Sequence, residues 1–181
     1  LRGLYGAGET RMNRVTVGRA SFGLIQSVLA AFPDARERGI VVGRDARHGS
    51  EQFQQDVAEI AAGLSVKVHW LDNVVPTPVV GFAVKHLGAA AGVMVTASHN
   101  PPAYNGYKVY WDNGGQIVPP VDASIAKAID AAPHFKRMER LELAAARSRG
   151  LVVEHAKLVE QYLDQTLEAL TLCPDAPTQN L

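Results

Sequence analysis

A three-layer α/β/α sandwich around a mixed, mainly parallel sheet is the fold this sequence predicts, and three observations predict it. Short apolar runs rich in β-branched residues (Ile40-Val41-Val42, Val66 to Trp70, Ala89 to Val95) read as strands, and longer segments of helical periodicity separate them. That βαβα order builds a parallel sheet with helices on its faces. The β-prone stretch Tyr107 to Trp111 follows the third run too closely for a parallel crossover, so it turns back as one antiparallel strand.

The elements follow in order. Gly3, Gly6, Gly8, Gly18 and Gly23 punctuate residues 1–23; a helix is expected from about Gly18 to Phe32, with Leu24, Ile25, Val28 and Leu29 on one face, and Pro33 ends it. Ile40 to Val42 is a buried strand that leads into Gly43-Arg44-Asp45-Ala46-Arg47. Ser50 can cap the next helix, Glu51 to about Leu64, whose apolar positions are Phe53, Val57, Ile60 and Ala61. Val66 to Trp70 alternates as a strand. Pro76 and Pro78 stiffen the following loop, and Pro78 suits the first turn of a helix running to about Leu87.

After the strand ending at Val95 and its returning partner, Asp122 caps a helix that ends near Ala132. Residues 133–150 turn polar and basic (Lys136, Arg137, Arg140, Arg147, Arg149) and read as a solvated surface connection with room for a short helix. His155 to about Leu170 is a final amphipathic helix, and the tail from Cys173 is expected to fray.

Size and charge narrow the function classes. With 181 residues, 47% of them apolar, the chain is long enough for one domain with a real core and too short for two ordinary ones. Lys plus Arg equals Asp plus Glu at 18 each, so bulk charge points to neither a nucleic-acid nor a membrane partner. The single cysteine, Cys173, excludes an internal disulfide and reads as a passive thiol; five of the histidines (His48, His69, His86, His134, His155) show no zinc-ligand spacing. With no run of 18 apolar residues and no signal-peptide pattern at the start, a cytoplasmic location is expected.

Chemistry concentrates in Thr96-Ala97-Ser98-His99-Asn100-Pro101. Ser98 stands just past the carboxyl end of a buried strand, where open α/β sheets place ligands. A serine-hydrolase reading is disfavoured: His99 is adjacent to Ser98, so in extended backbone it points the other way, and no glycine brackets the serine. A second block follows in register, Asn105-Gly106-Tyr107-Lys108-Val109-Tyr110-Trp111 and then Asp112-Asn113-Gly114-Gly115-Gln116-Ile117. The two blocks together resemble the phosphoserine loop and its sequel in the α-D-phosphohexomutases, the phosphoglucomutase/phosphomannomutase family, with the second block most similar to the phosphoglucomutase and phosphopentomutase branch.

The resemblance implies that Ser98 carries a phosphate ester and exchanges it with a sugar phosphate. It implies that His99 hydrogen-bonds reacting or phosphate oxygens and that Lys108 lies beside the hydroxyl, as proton acceptor or as a plain electrostatic partner. Leu1-Arg2-Gly3 and Arg11-Met12-Asn13 resemble the family's N-terminal pattern and assign Arg2 to phosphate, which suits a guanidinium that offers paired donors and keeps its proton. Asn100 is assigned to the binding loop, chiefly shaping it. The Gly43 to Arg47 block is similar to the family's G-x-D-x-R motif, with Asp45 and Arg47 expected to brace the serine loop as a structural ion pair.

In the family, magnesium is held by an aspartate loop together with the phosphoserine, and a sugar-selecting loop and a phosphate-gripping loop complete the cleft. None of those three motifs occurs in residues 1–181. The resemblance therefore implies domain I of a four-domain mutase: residues 1–135 form the α/β/α domain, and residues 136–181 form a connection and helix leading towards the absent domains II–IV. The chain is expected to be a fragment, inactive alone. The full-length protein is expected to interconvert glucose 1-phosphate and glucose 6-phosphate, or mannose or pentose phosphates, with magnesium bound through the Ser98 phosphate and glucose 1,6-bisphosphate as activator and intermediate. A reading of another class, a non-catalytic module binding sugar phosphates or a protein, has no need of the nucleophile.

Overall fold

The computed structural model describes residues 1–171. Its strands are β1 (Arg2–Leu4), β2 (Ile40–Arg44), β3 (Val68–Val74), β4 (Ala91–Val95), β5 (Tyr104–Trp111) and β6 (Val152–Glu154). Its helices are α1 (Arg14–Ala31), α2 (Ala35–Arg38), α3 (Ser50–Gly63), α4 (Thr77–His86), α5 (Val121–Asp130), α6 (Leu143–Ser148) and α7 (Leu158–Thr171), with a 3₁₀ turn at Phe135–Arg137. The strands form one sheet in the order β1-β5-β4-β2-β3-β6. β2 runs parallel to β3 and β4, and β3 parallel to β6, while β5 is antiparallel to both β4 and β1. Cys173 and the tail expected to fray lie outside the described residues.

Alternation along the strands feeds two cores. Ile40 and Val42 of β2 meet Leu24, Ile25 and Val28 of α1, Phe53 and Val57 of α3 and Ile125 of α5 on one face. Val41, Leu71, Met94 and Tyr110 meet Val79, Val80, Ala83 and Val84 of α4 and Leu158 of α7 on the other. Those two faces make the three layers. No described helix is long and apolar enough to cross a membrane.

Several expectations shift, each for a local reason. α1 starts at Arg14, not Gly18, because Asn13 caps it: its side-chain oxygen accepts from the N–H groups of Val15 and Thr16. Ser50 does not cap α3. Gly49 takes that position at φ +77°, leaving the Ser50 hydroxyl free to donate to Asp45. Asp122 lies inside the first turn of α5 rather than at its cap, which is Pro120.

β1 and β6, each of three residues, are not among the expected strands, and the last helix starts at Leu158, past His155, whose N–H continues the pairing of β6 by donating to the Trp70 carbonyl of β3. Nor is the 133–150 segment only a solvated face. Arg140 reaches back to α3, 2.6 Å from both Asp56 and Glu59, and Arg14 of α1 closes on the same Asp56 at 2.7 Å. The Asp56 side chain is wholly buried, so the two guanidiniums compensate a charge taken out of water.

Candidate active site at the carboxyl edge of the sheet

β4 is buried along its whole length, Thr96 and Ala97 stay buried after it, and the chain emerges at Ser98 and His99, both exposed. Ser98 has a left-handed backbone, φ +59°. An L residue adopts that conformation at a cost of about 1 kcal/mol or more, so the surroundings must impose it. The Ser98 N–H donates to Thr96 Oγ1 at 2.9 Å, and the Asn100 N–H to the Ala97 carbonyl at 3.2 Å.

The loop after β2, the neighbouring strand, supplies the rest. The Asp45 N–H donates to the Val95 carbonyl at 3.0 Å, joining the two loops at their root. Arg47 then spans the serine loop from beneath. Its Nη2 donates to the carbonyls of Ser98 (2.8 Å) and Asn100 (2.6 Å), and its Nη1 to those of Pro101 (2.8 Å) and Tyr104 (3.0 Å). Its Nε donates to Asp45 Oδ2 at 3.1 Å. All five guanidinium donors are thereby used. Asp45 Oδ1 in turn accepts from the Ser50 hydroxyl at 2.8 Å and from the Arg47 N–H at 3.0 Å. Buried Asn105, at the start of β5, donates to Ser50 Oγ (3.0 Å) and to the His48 carbonyl (2.9 Å).

β1 brings in the N-terminus. Arg2 lies opposite Gly106, and its Nη1 donates to Asn100 Oδ1 at 2.9 Å, tying two residues 98 positions apart to the serine loop. The Leu1 nitrogen donates to the Tyr107 carbonyl at 3.0 Å. Gly106 admits this approach. A Cβ there would lie 2.4 Å from the Thr96 carbonyl oxygen and 3.1 Å from that of Leu1.

Lys108 occupies β5 opposite Met94 and makes no hydrogen bond or ion pair among the described residues. It shares with Arg2 the rim of a cavity of about 520 Å³ closed by Tyr107, Val109 and Ile125. Ser98 lines a different hollow of about 350 Å³, with Asp45, Arg47, His48 and Pro102. Arg2, Asn100, Asp45 and Arg47 thus converge on the serine loop. No hydrogen bond joins Lys108 to Ser98, and His99 is exposed without a hydrogen bond among the described residues. A larger hollow of about 600 Å³, lined by Tyr5, Asn13, Val15 and Phe53, lies away from the serine.

The sequence places Thr96 and Asn105 in the two motif blocks and Ser50 at a helix start, and it assigns none of them to holding the serine loop, because neither motif nor spacing shows which side chains of separate loops meet.

Comparison with known proteins agrees with this architecture. Residues 1–135 match the family described as phosphoglucomutase/phosphomannomutase, alpha/beta/alpha domain I. A protein of Schizosaccharomyces pombe named "Probable phosphoribomutase" is 51% identical over 130 residues, covering 72% of this chain and 22% of its own. A "Probable phosphomannomutase" of Haemophilus influenzae is 43% identical over 160 residues, covering 86% of this chain and 31% of its own. The crystal structure of a phosphoglucomutase/phosphomannomutase family protein from Burkholderia thailandensis superposes with a TM-score of 0.67 at 25% identity, over 91% of this chain and 33% of that one. The chain spans between about a fifth and a third of the length of these relatives.

Proposed function

The chain belongs to the phosphoglucomutase/phosphomannomutase family, and from that premise we propose that it is the phosphoserine-bearing domain of a phosphosugar mutase. The observation that carries the reading is Ser98, exposed at the carboxyl end of a buried strand and held in a left-handed turn by Arg47 and Thr96. In the proposed reaction the Ser98 Oγ–P bond breaks as the phosphoryl group passes to the free hydroxyl of a sugar monophosphate, and the proton that this hydroxyl loses is taken up by the leaving Ser98 Oγ. The bisphosphate reorients, its other phosphoryl group returns to Ser98 Oγ, and the proton released there passes to the freed sugar oxygen.

Lys108 is assigned the proton or, as a cation, the transferring oxygens, and His99 a hydrogen bond to them; Arg2 holds phosphate, with Asn100 orienting it. Asp45 and Arg47 support the loop. We assign residues 1–135 to the phosphoserine domain and residues 136–181 to a connection towards further domains.

The full-length substrate is proposed to be glucose 1-phosphate and glucose 6-phosphate, with glucose 1,6-bisphosphate as activator. The names of the relatives put ribose and mannose phosphates beside it as substrates to be assayed. Magnesium takes about six oxygens in octahedral array. Among the described residues no three His, Cys, Asp or Glu side chains gather to hold a metal, and Asp45 is already engaged by Arg47 and Ser50. Among the described residues the ion is offered only the Ser98 phosphate, so its site needs ligands from elsewhere.

Turnover tests the assignment. In the full-length protein Ser98→Ala should nearly abolish interconversion, and an alanine variant of ordinary activity would end the proposal. Residues 1–181 alone should show negligible mutase activity. Phosphate mapped to Ser98 by intact mass and peptide sequencing would favour the enzyme over a binding module.

A further inference from the structure

The serine loop holds more acceptors than donors. Pro101 and Pro102 carry no N–H and leave the loop short of backbone donors; the Tyr104 N–H reaches the Pro101 carbonyl at 2.9 Å, and the carbonyls of Ser98, Asn100, Pro101 and Tyr104 all turn to the single guanidinium of Arg47. With its fifth donor on Asp45, Arg47 has none left for a ligand. The peptide between Ser98 and His99 is planar and trans, so a carbonyl drawn in towards Arg47 sets the His99 N–H facing the opposite way. That N–H has no acceptor among the described residues, and covalent geometry alone keeps it close to a group carried on the Ser98 side chain.

We propose that Arg47 is the positioning residue of the phosphoserine: it gathers the loop's carbonyl oxygens away from the phosphoryl group and aims the His99 N–H at it. Asp45, Ser50 and Asn105 form the buried chain that holds Arg47 in place. Carbonyl dipoles turned towards a phosphate would present it with negative charge; gathered on Arg47, they leave an N–H donor on the exposed side. The inference rests on the mutase reading for the identity of the anion, but the clamp itself does not.

Two measurements on the 181-residue chain separate those dependencies. In the unphosphorylated chain, hydrogen exchange at the Ser98, Asn100 and Tyr104 amides should quicken about tenfold or more in Arg47→Lys, while strand amides such as Val42 and Val93 keep their protection. Ser50→Ala, which removes one bond on each side of that hydroxyl, should shift the same amides by a smaller factor and keeps the test open if the lysine variant does not fold. Unchanged loop amides, or loop and strand amides rising together, would overturn the clamp.

In chain carrying phosphoserine at position 98, a ³¹P titration should give a second pKa below the ordinary value of about 6, and Arg47→Lys should raise it towards that value. Loop amides that respond while the phosphate titration does not would refute the anion-directing role and leave Arg47 a structural brace. Absence of phosphate from Ser98 in the active full-length protein would instead sink the mutase reading, with the amide result standing on its own.

Discussion

Ser98 is held at φ +59° although it has a Cβ, and a residue so constrained shows whether shape or chemistry is being kept. Glycine adopts that region without the Cβ penalty of about 1 kcal/mol. Ser98→Gly should therefore leave the urea-unfolding midpoint unchanged or slightly higher while removing all phosphate acceptance; a clear fall in stability would mean that the side chain holds the loop. Gly106 presents the opposite case. A methyl group 2.4 Å from the Thr96 carbonyl oxygen meets backbone that cannot swing aside, so Gly106→Ala should cost about 1–3 kcal/mol in urea unfolding and displace the serine loop. Equal stability would show that β1 and β4 can move apart at no cost. The spacing of Ser98, Lys108 and Arg2 is legible in the sequence because it is local pattern. Nothing in that pattern shows that Arg2 reaches Asn100 across 98 positions, or that no hydrogen bond joins Lys108 to Ser98.

At the scale of elements, two polar contacts fasten the segment after residue 135 to the rest. Arg140 bridges Asp56 and Glu59 of α3 at 2.6 Å, and burial of Glu59 works to raise its pKa, but hydrogen bonds from Gln55 and Arg140 hold it below the ordinary range. Arg140→Ala should cost roughly 2–4 kcal/mol, read as a drop in the denaturant midpoint with unchanged m, because it leaves buried Asp56 to Arg14 alone.

The second contact joins β3 to the end of β6. His69 Nδ1 lies 3.0 Å from His155 Nε2, His69 Nε2 meets the Arg38 carbonyl at 2.8 Å, and the His155 N–H donates to the Trp70 carbonyl. Burial, then the charges of His155 and Lys67, lowers the His69 pKa; burial and then His86 lowers that of His155. Groups depressed in the folded state let the unfolded chain take up protons first. Their contribution is complete above the unfolded value of about 6.5 and falls as the pH drops through it towards the folded values. Stability should decline between pH 7.5 and 5, and His69→Gln should flatten that slope; an unchanged slope would remove the pair from the account. The first fastening is not legible in the sequence because basic residues between elements look like solvated surface until their partners are placed; the second pairs two histidines 86 positions apart, which no local pattern joins.

For the whole molecule, the family match ends at residue 135 but the cores do not. Met138, Ala146, Val152 and Leu158 are all buried, and β6 covers the edge of β3. A chain cut after residue 135 should therefore express poorly or unfold at markedly lower urea than the 181-residue chain, and equal midpoints would show the added strand and helices to be ornamental. The sequence by itself determined the α/β layering, the place of the serine at a strand's carboxyl end and the reversal of β5, because hydrophobic periodicity and connection length are local and act before the chain is folded. Only the tertiary structure decided that β1 and β6 join the sheet, that one guanidinium closes the serine loop from another strand, and that a basic linker is tied into α3. Such contacts cross long stretches of chain, and they depend on which side chains burial leaves without water to bond.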